Sequence, residues 1–432
     1  MKRVLIITYY WPPAGGPGVQ RWLKFVTYFK EYGIEPIVYV PENPHYPLVD
    51  EAMLAEVPKN ITILKTPIKE PYKLAQLFSK KKTKQMSSGV IPSNKQSSLD
   101  KLMLYVRGNY FIPDARVGWV KPSVRYLNDY LSKGSAASEN KIDAVITTGP
   151  PHSLHFIGLQ LQELLGIKWI ADFRDPWTTI HYHKSLQLTR ASEKKHKQLE
   201  YKVLNTADLI TVTSPTTKKE FEQITEKPIE VVTNGYEENE AIYPILDKKF
   251  SLAHIGSLLS ERNPTVLWEV LSSIASENSA FKDDLEITLA GTVSEDVIDS
   301  IHSYDLGDTL NNLGYLPHEE ALQLQYNAQL LLLIEIDSTE TRAIIPGKLF
   351  EYMIAHRPIV ALGPMASDIE MILNETNSGI FFTYDKKNAL KEHIEACYKS
   401  FKGNCLEIDS KGIEKYSRRA LTKKMAALIE AI

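Results

Sequence analysis

The sequence predicts an α/β protein of two domains, each a doubly wound parallel sheet with helices on both faces. Three observations predict it. Short β-branched and apolar runs alternate with amphipathic helical stretches along most of the chain. The alternation lapses over residues 236–249 and then resumes as a second series, which marks a linker. The 432 residues are enough for two or three domains at roughly 150 each.

The elements follow in order. Residues 4–10 form a first strand, closed by Pro12-Pro13-Ala14-Gly15-Gly16-Pro17-Gly18. Trp22, Leu23, Phe25, Val26 and Phe29 then make a helical stripe, and residues 37–40 the next strand, giving one βαβ unit. Residues 66–100 read as a mobile excursion rich in Lys, Ser and Gln, followed by a partly apolar segment to residue 120. Strands are expected at 142–148, 168–172, 209–213 and 229–233, with helices at 153–165 and 193–205. After the linker, strands are expected at 251–255, 285–289, 330–334, 358–362 and 380–382, and a last helix at 420–432. Ligands of such sheets bind beyond the carboxyl ends of the strands, and two such domains would face each other across a cleft.

Composition narrows the function classes. A hydrophobic share of 43% with 24% charged residues is that of an ordinary globular protein. The net charge of −3 argues against a general nucleic-acid binder. Cys397 and Cys405 alone make neither a disulfide scaffold nor a cysteine zinc site, which suits a reducing cytoplasm. Lys2-Arg3 before an apolar run looks like the start of a signal peptide, but Trp11-Pro12-Pro13 ends the run early, so a buried strand is the better reading. No stretch of 18 apolar residues is present to span a membrane.

Five strand-end segments hold the candidate chemistry. Gly15, Gly16 and Gly18 let backbone approach a ligand at a helix start, although a plain tight turn has the same composition. His152, in Gly149-Pro150-Pro151-His152-Ser153, stands where a neutral imidazole could act on a substrate hydroxyl. In Asp172-Phe173-Arg174-Asp175-Pro176-Trp177, Asp172 or Asp175 could serve an acceptor as hydrogen-bond partner or base, or the loop could be held by Asp–Arg pairing. Arg262, before a helix expected near Pro264, could clamp a diphosphate or be solvated. In Pro346-Gly347-Lys348-Leu349-Phe350-Glu351-Tyr352 a helix is expected to start near Pro346. Its free N–H groups and Lys348 suit a phosphate, and Glu351 could take ribose hydroxyls.

With these segments in place, the chain resembles the bacterial family 4 glycosyltransferases of the GT-B fold, of the kind that build surface polysaccharides. Pro346-x-Lys348-x-Phe350-Glu351-Tyr352-Met353 followed by Arg357-Pro358-Ile359 is the most specific part of the likeness. The resemblance implies Rossmann-like domains at 1–236 (acceptor) and 250–415 (donor), with 416–432 crossing back to the first. It implies that Gly15, Gly16, Ser257, Arg262, Tyr315, Lys348 and Glu351 bind the donor, a UDP- or GDP-linked sugar. His152 and Asp175 would be catalytic, and Asp172, Arg174 and Trp119 would meet a glycan or lipid-linked acceptor. No metal or other cofactor is expected. Two departures stand out: the family often has a glutamate eight positions before the ribose-binding one, where this chain has Ala343, with Glu340 as a possible replacement. The phosphate arginine expected after Gly256 is Ser257.

The implied reaction is hexosyl transfer, with retention as the family's usual outcome. An epimerase of the same fold and a non-catalytic nucleotide-sugar-binding protein are the alternatives. Lysines 80, 81, 82 and 84 with residues 102–119 could rest on the anionic cytoplasmic face of the inner membrane, at roughly 1 kcal/mol per cation, or form a solvated loop.

Overall fold

The computed structural model describes residues 1–70, 98–136, 141–180, 186–238 and 242–432. Most of the lysine-rich excursion expected at 66–100 lies outside them. The contacts divide the chain into two units, Met1–Asn234 with Arg418–Ile432, and Gly235–Ser417.

The first unit holds seven strands: β1 (Lys2–Ile7), β2 (Ile34–Pro41), β3 (Thr62–Thr66), β4 (Ala144–Gly149), β5 (Lys168–Phe173), β6 (Leu209–Val212) and β7 (Ile229–Val231). They pair in parallel in the order β3-β2-β1-β4-β5-β6-β7. The unbroken apolar run of β1 follows from burial of both sheet faces. Leu5 and Ile7 enter one core with Trp169 and Leu127, while Val4 and Ile6 enter the other with Trp22 and Phe25. The terminal helix Arg418–Ala431 closes this second core with Leu421, Met425 and Ile429.

The second unit holds β8 (Phe250–Ile255), β9 (Leu285–Ala290), β10 (Leu310–Gly314), β11 (Leu330–Ile334), β12 (Ile359–Gly363) and β13 (Gly379–Thr383). Their order is β10-β9-β8-β11-β12-β13, again all parallel. Leu330, Leu332 and Ile334 face one core, and Leu331 and Leu333 the other.

In both sheets the strand order reverses beside the first strand, between β1 and β4 and between β8 and β11. Such switch points open a crevice at the strands' carboxyl ends. In the second unit, Gly256 follows β8 and Glu335 follows β11, so this crevice has a glycine turn on one side and a carboxylate on the other.

Candidate functional site

The switch point of the second sheet gathers a charge cluster, buried at His254 and Glu335 and half-buried at Lys348 and Arg262. His254, the penultimate residue of β8, is fully buried, and its Nδ1 lies 3.0 Å from the carbonyl oxygen of Leu332 in β11. A carbonyl only accepts, so Nδ1 carries the proton and Nε2 has a free lone pair. The ammonium of Lys348 donates to that Nε2 at 3.2 Å. Burial, reinforced by the Lys348 charge, holds the imidazole well below its ordinary pKa and therefore neutral.

Lys348 opens the helix Lys348–Ile354, after Gly347. The helix was expected to begin near Pro346; it starts two residues later and has seven residues. The charge offered here is therefore chiefly that of the Lys348 ammonium. Burial pushes its pKa down to about 8, Glu335 and Glu351 pull it upward, and Arg262 pushes it down. The ammonium lies against the glycine turn: a Cβ on Gly256 would sit 3.0 Å from Nζ. Gly256 has φ +116°, a conformation that L side chains rarely adopt, so both strain and space call for glycine.

Arg262 lies in the turn Ser260–Arg262, ahead of the helix Thr265–Glu277, which begins beside Pro264 as expected. Its guanidinium pairs with Glu335 at 3.3 Å. Glu335 is 2% exposed, and burial raises its carboxyl pKa against the pull of Arg262 and Lys348. Two cations, one neutral imidazole and one carboxylate thus share one strand-end crevice, an arrangement typical of sites that take a charged ligand. The sequence reading had singled out Lys348 and Arg262 but neither His254 nor Glu335. The sequence signal for Glu335 is its place as the first carboxylate after the apolar run of β11, which does not say what it faces. Ala343 and Glu340, the positions that the family likeness points to, lie downstream and flank Thr341 and Arg342.

Glu351 is partly buried and accepts a long hydrogen bond of 3.4 Å from Nε2 of the buried Gln325. Ser257 is exposed on the Gly256 turn. Tyr315 follows β10 and is 88% exposed, and no ring or hydrogen-bond contact joins it to the cluster.

In the first unit, Gly15 and Gly16 follow β1, and Gly16 caps the helix Pro17–Tyr28. The loop after β4 leads through a short turn, His152–Leu154, into the helix His155–Leu165, so the α-helix starts two residues after the expected Ser153. The His152 ring is 7% exposed and stacks on Trp177, with centroids 5.0 Å apart and planes 3° from parallel. His155, which the sequence reading passed over, is wholly buried. Its Nδ1 is 2.9 Å from Thr147 Oγ1, and burial lowers its pKa to about 3, so it is neutral. A Cβ on Gly149 would meet His155 Nε2 at 2.5 Å and His152 Nδ1 at 2.9 Å, which explains the glycine there.

Two acceptor-side expectations need correcting. Asp172 has no surface to offer an acceptor: its exposure is 0%, and its carboxylate accepts from Arg21, Trp22, Thr148 and Thr211 at 2.8–2.9 Å. Burial pushes this carboxyl pKa up, but Arg21 and those hydroxyls outweigh burial and hold it below the ordinary value. Trp119 is 1% exposed, stacked on Tyr39 and donating to Thr66 Oγ1 at 3.0 Å, so it is a core residue. Arg174 and Asp175 are partly exposed. The Arg174 guanidinium donates to the Pro150 carbonyl and lies over the Tyr10 ring, 5.6 Å from its centroid. Among the described residues, no three His, Cys, Asp or Glu side chains are grouped to hold a metal ion. No helix among them is long and apolar enough to cross a membrane.

No protein-family model and no curated protein matches the sequence. Solved structures do match along the whole chain. Anabaena HepE, in complex with UDP and glucose, has a TM-score of 0.55 at 12% identity, covering 100% of this chain and 98% of that one. WaaG, a glycosyltransferase involved in lipopolysaccharide biosynthesis, has 0.53 at 12% identity, covering 99% of each chain. A putative UDP-N-acetylglucosamine 2-epimerase from Listeria monocytogenes has 0.55 at 11% identity, covering 100% of this chain and 96% of that one. At such identities the likeness is one of fold, and the two parallel sheets, of seven and six strands, give this chain the two-domain α/β architecture of those proteins, the GT-B fold.

Proposed function

We propose that the protein is a glycosyltransferase that moves a hexosyl unit from a nucleoside diphosphate sugar to a hydroxyl of a glycan or lipid-linked acceptor. The observation that supports this most is the placing of Lys348 and Arg262 around the Gly256 turn, at the switch point of the second sheet. Loss of a nucleoside diphosphate builds negative charge on the leaving phosphate, and preorganised cations stabilise it most where water is excluded. Glu351, one turn along the helix from Lys348, is the ribose ligand in this reading. Ser257 and Tyr315 are further donor contacts in this reading. His152, Asp175 and Arg174 are the acceptor-side residues, with His152 or Asp175 handling the hydroxyl proton.

The pathway in this proposal is bacterial surface-polysaccharide synthesis at the cytoplasmic face of the inner membrane. The helix Ser98–Tyr110 supports a peripheral membrane contact: Leu102, Tyr105, Val106 and Tyr110 are exposed at spacings of three and four residues, on one helical face. Retention of configuration is the expected outcome, with no carboxylate at Ala343 to take part. The test is a screen of UDP, GDP and their sugars by thermal shift, followed by assay of nucleotide release with glycan acceptors. A ligand of the native state raises the melting temperature. No shift with any nucleotide contradicts the proposal.

A second reading, a nucleotide-sugar epimerase, draws on the likeness to the Listeria structure. Epimerised sugar nucleotide formed without any acceptor would favour it.

A further inference from the structure

The proposed donor site contains a carboxylate that the transfer reaction does not call for. Glu335 is buried at the carboxyl end of β11, in ion-pair contact with Arg262 and within the field of Lys348. Burying an ionised carboxylate is costly unless cations compensate it, and burying two cations is costly unless an anion does. Before an anionic ligand arrives, Glu335 is the group that meets both requirements.

We propose that Glu335 is a positioning residue that serves as internal counter-anion, keeping Lys348 charged and Arg262 oriented at the Gly256 turn until a diphosphate replaces it. The proposal rests on the donor-site reading and assigns that site its pH dependence.

The neighbours of Lys348 fix the direction of the effect. Arg262, from the turn after β8, opposes the ammonium. His254, from β8, is neutral and accepts a hydrogen bond from the ammonium. Glu351, on its own helix, favours the charged form, as does Glu335. Two hydroxyls bind backbone beside these groups: Tyr352 accepts from the Ile255 amide, and Tyr384 donates to the backbone carbonyl of Glu335. Neither hydroxyl carries charge, so Glu335 and Glu351 are the anions that sustain the ammonium. With Lys348 at about 8, a diphosphate binds the protonated cluster better, and its affinity falls as the pH rises through that value. Without the Glu335 charge, Lys348 gives up its proton at lower pH. At lower pH still, both cations are charged, and no internal anion competes with the ligand.

The experiment measures inorganic pyrophosphate and UDP affinities by calorimetry from pH 6 to 9.5, with wild type, Glu335→Gln and Glu335→Asp. In Glu335→Gln the midpoint of the affinity fall is expected to move down by about one pH unit. Its affinity at pH 6 is expected to match or exceed that of wild type. Glu335→Asp, which keeps the charge, should move the midpoint less. An unmoved midpoint in Glu335→Gln, or a wild-type affinity that does not change with pH, overturns the proposal. Should Glu335→Gln not fold, proton uptake by wild type decides: repeating the titration at pH 8 in buffers of different ionisation enthalpy should show uptake, and none overturns the proposal. Pyrophosphate binding with this pH profile but no binding of any nucleoside diphosphate would leave the role of Glu335 standing and sink the nucleotide-sugar reading. No pyrophosphate binding at any pH overturns the role itself.

Discussion

Lys348 donates to His254 Nε2 at 3.2 Å, and His254 in turn donates from Nδ1 to the Leu332 carbonyl at 3.0 Å. The imidazole thereby ties the ammonium to two adjacent strands, β8 and β11. His254→Phe would fill similar space and remove both bonds. It would leave a partly buried ammonium without its acceptor, a loss of about 1–3 kcal/mol. Thermal unfolding should show the destabilisation. Calorimetry should show weaker UDP or GDP binding, more so at pH 8 than at pH 6.5, because Lys348 would ionise less readily.

Glu351 and Lys348 should separate by ligand. If Glu351 takes the ribose and Lys348 the diphosphate, then at pH 6, where Lys348 stays protonated without Glu351, Glu351→Ala weakens UDP or GDP at least tenfold, about 1.4 kcal/mol, and leaves pyrophosphate almost unchanged. Equal losses for both ligands in Glu351→Ala would remove the ribose assignment.

Gly256→Ala adds a Cβ at φ +116°, within 3.0 Å of Lys348 Nζ. The backbone conformation costs about 1–2 kcal/mol, and the crowding displaces the ammonium. Affinity for a diphosphate should fall more than this stability loss implies, which parallel calorimetry and denaturant unfolding can check.

Asp172 makes a prediction about stability alone. Removing one partner of a buried ion pair leaves an uncompensated charge, here Arg21, at a cost of about 3–5 kcal/mol. Asp172→Ala should show a loss of that order in urea. The folded-state pKa of Asp172 is depressed, so its stabilisation is complete above the ordinary carboxylate value near 4. It is lost as the pH falls through the lower folded value. Unfolding measured from pH 5 to 2 should show wild type losing its advantage over Asp172→Asn.

Several parts of the fold were legible in the sequence for a physical reason. Strands buried on both faces are continuous apolar runs, and Leu330–Ile334 was read to the residue. Thr62–Thr66 and Leu310–Gly314 were missed because both are edge strands. Their exposed and half-exposed residues, Asn311 and Asn312 among them, lack the apolar signal. In the candidate site, Lys348 and Arg262 were legible through proline and glycine punctuation near helix starts. His254 and Glu335 were not, because what brings them beside Lys348 is the pairing of β8 with β11, a contact between residues far apart in sequence. Asp172 misled in the opposite way. A carboxylate at a strand end looks like a ligand contact, and only the structure shows Arg21, Trp22, Thr148 and Thr211 filling it from elements on either side.

The central claim is that the crevice between β8 and β11 binds a nucleoside diphosphate through Lys348. Calorimetric titration of UDP and GDP into wild type and Lys348→Ala at pH 7 tests it most directly. Binding of at least one nucleotide to wild type, weakened tenfold or more in a folded Lys348→Ala, is the predicted result. Equal affinity in the two proteins, or no binding to wild type, would contradict it.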